Sequence, residues 1–390
     1  MKNEPAIQDQ LVKLRRELHQ HPELGFEEHT TRKILINALQ EQGFKVHGPV
    51  AKTGFYVDIE GSRPGPAIAY RADMDALPIG DQKEVEYASK NEGKGHMCGH
   101  DVHSTIAFGI ATLLKQNREE LQGKVRVFWQ PAEEINPSGA PEVIKAGILD
   151  EFDAVYGIHC DPRLESGSVC ILSGMVSASF DKFDITLKAP ASMHSARPHL
   201  GSDTIWVANK VITELYSLPG RITNALYPFV ISVSMIHGGK VHNVIPQEVN
   251  IGGTIRCAKH SDREIIQKHI EHLLASFSEI YELQTDLELG KGAPPVRNDD
   301  TLAGLAKQVV SNEEEFTLAD CNPSMGGEDF AHYSLHKPTL FMRLGTSSGP
   351  ETSHAVHTPF FDIDEKVLEP AVGLIGNILM DRLQVKQTIS

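Results

Sequence analysis

Helix-like and strand-like segments alternate from the start of the chain to Ile158, and that alternation leaves few folds open. Leu11, Leu14, Arg15 and Leu18 recur at helical spacing up to His21-Pro22, and a second helix is expected over Thr31–Gln40, closed by Gly43. Strand-like pieces follow at Gly54–Ile59 and Ala67–Tyr70. Ile106, Ile110, Leu113 and Leu114 then mark a core-facing helix, and Lys124–Trp129 and Ala154–Ile158 read as buried strands. Strands and helices in this order predict a doubly wound α/β domain, a mostly parallel sheet with helices on both faces.

In such sheets ligands collect at the carboxyl ends of the strands. Chemistry-bearing residues stand at those ends here. Asp73 follows one strand, Glu133-Glu134 another and His159 a third, so they should meet at one edge. Four short stretches carry metal-binding side chains: His96-Met97-Cys98-Gly99-His100-Asp101-Val102-His103, Gln130-Pro131-Ala132-Glu133-Glu134, Gly157-Ile158-His159 and His354-Ala355-Val356-His357-Thr358-Pro359. Thiolate, imidazole and carboxylate together suit borderline-soft divalent ions such as zinc, manganese, nickel or cobalt. Cys98 and His100 lie two apart across a glycine, so in an extended segment both can reach one ion or two adjacent ions. With the double Glu, one carboxylate can bind metal while its neighbour handles protons, as hydrolysis by an activated water requires. On local evidence either His354 or His357 could be a ligand.

Each of these residues has a plainer reading. Most Glu pairs are exposed acidic loops, a lone His after a strand is most often a satisfied core residue, and a Cys-x-His pair is short and common. A metal-free cysteine hydrolase using Cys98 and a non-catalytic binding protein are the rivals from other classes. A thiolate dyad needs neither the Glu pair nor the 19 histidines of this chain. A degenerate binder need not keep Glu133 and every ligand candidate. Gly326-Gly327 has no Lys-Ser/Thr after it and is no phosphate loop.

Composition narrows the partners. The formal charge is −15 with no dense Lys/Arg cluster, which disfavours nucleic acid and anionic membrane. No apolar run is long enough to span a bilayer, and Met1–Gln10 carries Glu4 and Asp9 with no apolar core, so it does not read as a signal peptide. Five widely spaced cysteines make no disulfide framework and fit a reducing compartment, so a cytoplasmic protein is expected.

At 390 residues, two domains are the default. The pattern changes near Ser179. Phe180–Lys188, Phe229–Met235, Glu248–Arg256 and Glu282–Leu289 are strand-like, with helices expected over Thr204–Leu215 and Arg263–Phe277. That order is the split βαβ arrangement. Pro294-Pro295 marks the return. An inserted α+β domain is therefore expected at 179–291, within a metal-binding catalytic domain of 1–178 and 292–390.

These motifs together resemble the M20 metallopeptidase family, specifically its amidohydrolase branch, which includes hippurate hydrolase, N-acyl-L-amino-acid amidohydrolases, N-acetyl-diaminopimelate deacetylase and auxin-conjugate hydrolases. The resemblance runs from Arg15-Arg16-Glu17-Leu18-His19-Gln20-His21-Pro22-Glu23-Leu24 through Arg71–Pro78 and the four metal stretches. It continues in Asn243-Val244-Ile245-Pro246, Gly253-Thr254-Ile255-Arg256 and Gly327-Glu328-Asp329-Phe330. It implies two divalent ions held by Cys98, His100, Glu134, His159 and His357, with Glu133 as general base and acid. His357 is preferred because the family histidine precedes a small residue, Pro and Phe. Asp73, Asp75 and Asp101 would support the ligands from behind. The resemblance also implies that the insert is a lid and dimerisation domain, whose His194 reaches across a homodimer to the partner's active site and helps bind the oxyanion. Asn243 and Arg256 would hold the polar end of an N-acyl amino acid. Arg256 suits a free carboxylate because its fork binds two oxygens at once. A dipeptidase or aminoacylase of the same superfamily is the near alternative. The family usually has glycines before the lid histidine, whereas this chain runs Lys188-Ala189-Pro190-Ala191-Ser192-Met193-His194.

Overall fold

The computed structural model describes residues 7–384; Met1–Ala6, which open the stretch read above as lacking a signal peptide, lie outside the described residues. The chain forms two compact units. Among the described residues the first comprises 7–176, 297–322 and 332–384, and the second comprises 177–296 and 323–331.

In the first unit, α1 (Ile7–Gln20) and α2 (His29–Glu41) precede β1 (His47–Val50), β2 (Gly54–Glu60) and β3 (Arg63–Asp73). Then come α3 (His100–Gln116), β4 (Gln122–Gln130), α4 (Gly139–Lys145), β5 (Ala154–Glu165), β6 (Ser168–Cys170) and β7 (Gly174–Met175). In the second unit, β8 (Asp181–Lys188), β9 (Met193–His194), α5 (Thr204–Ser217), β10 (Phe229–Gly238), β11 (Val244–Ile245), β12 (Glu248–Cys257), α6 (His260–Tyr281) and β13 (Gln284–Gly290) follow. The chain returns through β14 (Arg297–Asn298), α7 (Asp300–Ser311), β15 (Thr317–Leu318), the short α8 (Ala331–Ser334), β16 (Thr339–Ser347) and α9 (Leu368–Gln384).

The first unit's main sheet runs β1-β2-β4-β3-β5-β16-β6-β15. Its centre is parallel, with β3 pairing β4 on one side and β5 on the other, and β5 pairing β16. The carboxyl ends of β3, β4 and β5 therefore share one edge. Alternation along the strands puts Val125, Val127 and Trp129 of β4 and Ala154, Tyr156 and Ile158 of β5 into one core with α1, α2, α3, α7 and α9. The opposite face, with Phe128 and Val155, carries a thinner cover that includes α4 and Phe152, where Phe128 meets Tyr333 of α8 edge-on at 5.7 Å. Among the described residues no helix is long and apolar enough to cross a membrane.

The second unit is a four-stranded antiparallel sheet in the order β10-β12-β8-β13, with α5 and α6 packed on it. This is the split βαβ order. Strand β8 alternates strictly, with Phe183, Ile185 and Leu187 in the core and Lys182, Asp184 and Lys188 outside or toward solvent. The unit also takes in 323–331, which the sequence reading left with the catalytic domain. That segment is tied to the sheet by hydrogen bonds from Ala178 N to Ser324 O (2.9 Å) and from Arg256 NH1 to Met325 O (2.5 Å).

One expectation is corrected. Cys170 and Cys321 form a disulfide, with Cα atoms 6.2 Å apart and a sequence separation of 151. Wide spacing in sequence did not keep them apart, because β15 pairs with β6 and brings the segment after Leu318 beside Cys170. Cys98, Cys160 and Cys257 are free thiols.

Candidate metal centre

The site is built at the shared strand edge. Asp73 is the last residue of β3, and Glu133-Glu134 follow β4 after a turn in which Ala132 adopts φ 55°. That turn is held from behind by Glu28, fully buried, which accepts the Ala132 N–H at 2.9 Å and the Thr53 hydroxyl at 2.5 Å. His159 lies within β5 and not at its end. Pairing with β3 stops at Arg71↔Gly157, while β16 continues to pair with β5 as far as Glu165. His159 therefore sits just where one neighbour has left and a gap opens.

Cys98 and His100 reach the same gap from the start of α3. Gly99 between them has φ +89°, and a side chain there would meet Cys160 Sγ at 3.1 Å, so only glycine lets this segment lie against β5. His357 arrives from the far end of the chain in a left-handed conformation, φ 64°, with its N–H bonded to Met97 O at 2.6 Å.

The functional atoms converge. His159 Nε2 and His357 Nε2 each lie 3.3 Å from Cys98 Sγ, and His357 Nε2 lies 3.3 Å from Glu134 Oε1. Two triads have their ligand atoms within 4.8 Å of one another and share the thiol: Cys98, His100 and His159, and Cys98, Glu134 and His357. Glu133, half-buried, lies within the same reach of His100 and Glu134. His354 instead lies 5.7 Å from the Phe360 ring and joins no such cluster among the described residues. Of the two histidines that local sequence left open, His357 is the one placed beside Cys98 and Glu134.

The donor set fits metal. His100 Nε2 is buried with no hydrogen-bond partner among the described residues, and it faces Glu134 Oε1 at 3.9 Å, an oxygen whose His357 neighbour at 3.3 Å makes no well-aligned hydrogen bond. Orphaned buried polar atoms are costly unless something completes them. The charge balance points the same way. Burial would lower the His100 pKa, but Asp73, Asp75 and Glu134 overcome it and raise it to about 10, so the surrounding carboxylates favour positive charge here. Burial, with Glu134 and Glu133, pushes the Cys98 thiol well above its usual range; a coordinated metal would reverse that.

Asp75 carries the ligand-bearing backbone. Its Oδ1 accepts the Glu133 N–H at 3.0 Å and lies 3.2 Å from His100 Nδ1, and its Oδ2 accepts the Glu134 N–H at 3.0 Å. Asp73 pairs with Arg71 NH1 at 2.5 Å and His103 Nδ1 at 2.6 Å. Asp101 differs from expectation. Its carboxylate binds Arg15 Nε at 2.9 Å and His19 Nδ1 at 2.7 Å, and it bonds no ligand candidate among the described residues. It anchors α3 to α1 one layer further out. Sequence reasoning quoted Arg71 and His103 within motifs without giving them a role, although Arg71 and Asp73 share a strand face and His100 and His103 a helix face, and it missed Glu28.

In the second unit, β9 pairs with β11 so that His194 lies opposite Val244, and Ser195 N donates to Asn243 O at 3.0 Å. His194 and Asn243 are thus neighbours, both exposed. Arg256, on β12, is half-buried with its Cζ 4.7 Å from the Phe180 ring centre, and no carboxylate partners it among the described residues.

Comparison with known proteins agrees with this geometry. Residues 69–381 match the model of peptidase family M20/M25/M40. An N-acetyl-L-cysteine deacetylase of Bacillus subtilis is 38% identical over 366 residues, which span 94% of this chain and 86% of that protein. An N-acetylcysteine deacetylase of the same organism is 36% identical across 94% and 95% of the two chains. A crystal structure of a dinuclear metal binding peptidase of the M20 family, also from Bacillus subtilis, superposes with TM-score 0.85 at 33% identity, covering 97% of this chain and 99% of that one.

Proposed function

Since the chain belongs to peptidase family M20, we propose that it is a metal-dependent amidohydrolase that splits N-acyl amino acids into a carboxylate and a free amino acid. The observation that carries this reading is Glu133, a carboxylate beside two ligand triads that share Cys98.

Cys98, His100, Glu134, His159 and His357 would hold two divalent ions of zinc, manganese, nickel or cobalt. Such a pair, when bound, acidifies water and polarises the amide carbonyl. Glu133 takes a proton from the attacking water and returns it to the leaving nitrogen. His194 would donate to the oxyanion; its Nδ1 accepts the Ala196 N–H at 3.1 Å, which leaves Nε2 to carry the proton. Arg256, without an acidic partner, would bind the substrate's free carboxylate, and Asn243 its polar end. The second unit would act as lid and dimerisation domain, with His194 serving the partner's site in a homodimer. The names of the two deacetylases favour a short acyl group. A cytoplasmic location would leave Cys170 and Cys321 as thiols; five titratable thiols in freshly extracted protein, counted after denaturation with chelator, would support it.

One observation favours a second reading. Cys98 Sγ has an imidazole nitrogen at 3.3 Å on each of two sides, as a cysteine hydrolase would. Its burial beside two carboxylates opposes the thiolate that such an enzyme needs. Stripping metal and then assaying N-acetyl, N-benzoyl and longer N-acyl amino acids, with each divalent ion restored in turn, separates the two. Full activity under chelation, or no hydrolysis of any member with any ion, sinks the proposal.

A further inference from the structure

His103 lies on the first turn of α3, three residues past His100, and is 1% exposed. Both its ring nitrogens are engaged. Nδ1 lies 2.6 Å from Asp73 Oδ1, and Nε2 accepts the Cys160 backbone N–H at 2.9 Å. A backbone N–H can only donate, so Nε2 is unprotonated and Nδ1 carries the proton that Asp73 receives. The ring therefore has no free lone pair for metal, although it clusters with Asp73 and His100 within 4.8 Å.

Cys160 is gripped at its other end by the neighbouring imidazole. His159 Nδ1 donates to Cys160 O at 2.7 Å, which turns His159 Nε2 toward Cys98 Sγ at 3.3 Å. A continuous path thus runs from Asp73 through His103 and the Cys160 backbone to His159. It crosses from β3 to α3 to β5, at the point where β3 has ceased to pair with β5 and no ladder holds that side of the strand.

We propose that His103 is a positioning residue for His159: it replaces the missing ladder bond on β5 and so sets where His159 Nε2 points. This rests on the reading of His159 as a metal ligand. Groups behind metal-bound histidines typically change metal affinity by ~10–100-fold when removed.

The test uses full-length, metal-stripped protein titrated with Co²⁺, followed by visible absorption and by competition with a chromophoric chelator. His103→Phe fills the volume without either bond. One of the two ions should bind at least tenfold more weakly and the other at wild-type strength, with the cobalt spectrum altered for the weakened ion alone. His103→Gln, whose amide offers one donor and one acceptor, should recover part of the loss. Wild-type affinity for both ions in a folded His103→Phe overturns the inference, and so does an equal loss at both, which marks general loosening. Should His103→Phe not fold, long-range ¹H–¹⁵N spectra of the wild type decide: a proton on His103 Nε2 overturns the inference, and one on Nδ1 supports it. His159→Ala separates the layers. If it keeps both ions, the ligand reading itself fails; if it loses one and His103→Phe loses none, only the positioning role fails.

Discussion

Replacing Asp75 by Asn tests how much of the metal affinity is stored in backbone that touches no metal. The side chain is 1% exposed and accepts from Glu133 N, Glu134 N and His100 Nδ1. An Asn has one accepting oxygen. Whichever way the amide lies, its NH₂ must face a backbone N–H, and one of the two Glu residues loses its hold. A hydrogen bond to a charged group is worth ~1.5–3 kcal/mol, but that figure measures folding, and many other contacts keep this unit folded. The relevant cost is to ligand placement, ~10–100-fold in metal affinity, or about 1.4–2.7 kcal/mol. Competition against a chelating dye should show that loss, while the metal-free protein still folds cooperatively and melts only some degrees lower. Turnover should remain low even at saturating metal, because Glu133 shares the released backbone. Affinity within about threefold of wild type, or full turnover at saturation, would refute the reasoning, since ~0.7 kcal/mol is too small for the loss of a shared carboxylate.

Glu133→Gln should retain both ions and lose at least ~10³-fold in kcat, about 4 kcal/mol of barrier, because an amide cannot shuttle the proton; a variant keeping a tenth of wild-type turnover would exclude Glu133 as the base. Arg256→Lys should raise KM for N-acyl amino acids more than it lowers kcat, and should leave carboxylate-blocked analogues unaffected; equal effects on both substrate types would remove Arg256 from carboxylate binding. Mixing His194→Ala with Glu133→Gln subunits should restore roughly a quarter of wild-type activity, since about half of randomly exchanged dimers are mixed and each has one intact site of two. No recovery after native mass measurement has confirmed exchange would rule out a shared site. Burial opposes ionisation of Asp362, but Arg15, Lys83 and the Tyr87 hydroxyl overcome it and hold its pKa below the ordinary 3.8. A depressed carboxylate stabilises the fold fully above its unfolded pKa and loses that contribution as pH falls. The urea midpoint of the metal-free protein should therefore drop below about pH 4, and less steeply in Asp362→Asn; equal slopes would deny the ion pair this role.

The sheet and the inserted unit were legible because their signals are periodic. Leu11, Leu14 and Leu18 all lie in the core, and β8 alternates as its residues suggest. The ligand candidates were legible because glycine, proline and strand ends mark them. What stayed hidden depends on pairing in space. That β3 leaves β5 at Gly157 while β16 continues cannot be read from either strand alone. Glu28 looks like any surface glutamate until the Ala132 turn meets it, and Cys170 meets Cys321 only through the β6–β15 ladder. Arg71 and His103 sit inside quoted stretches with no role legible there, since Arg71 also reaches Gln130 on β4 and His103 bridges Asp73 on β3 to the Cys160 N–H on β5.

The bond between His357 N and Met97 O has a consequence for how the protein matures in the cell. Cys98 and His357 stand 259 positions apart, so one triad gains its last member only when almost all of the chain has been synthesised. Contacts this distant in sequence form slowly, because closing the long loop costs entropy before the contact rewards it. A nascent chain released before that point holds Cys98, His100 and His159 but lacks the histidine that completes the second triad. On the proposed ligand set, a chain truncated ahead of His357 should emerge with the second triad incomplete and bind one ion fewer.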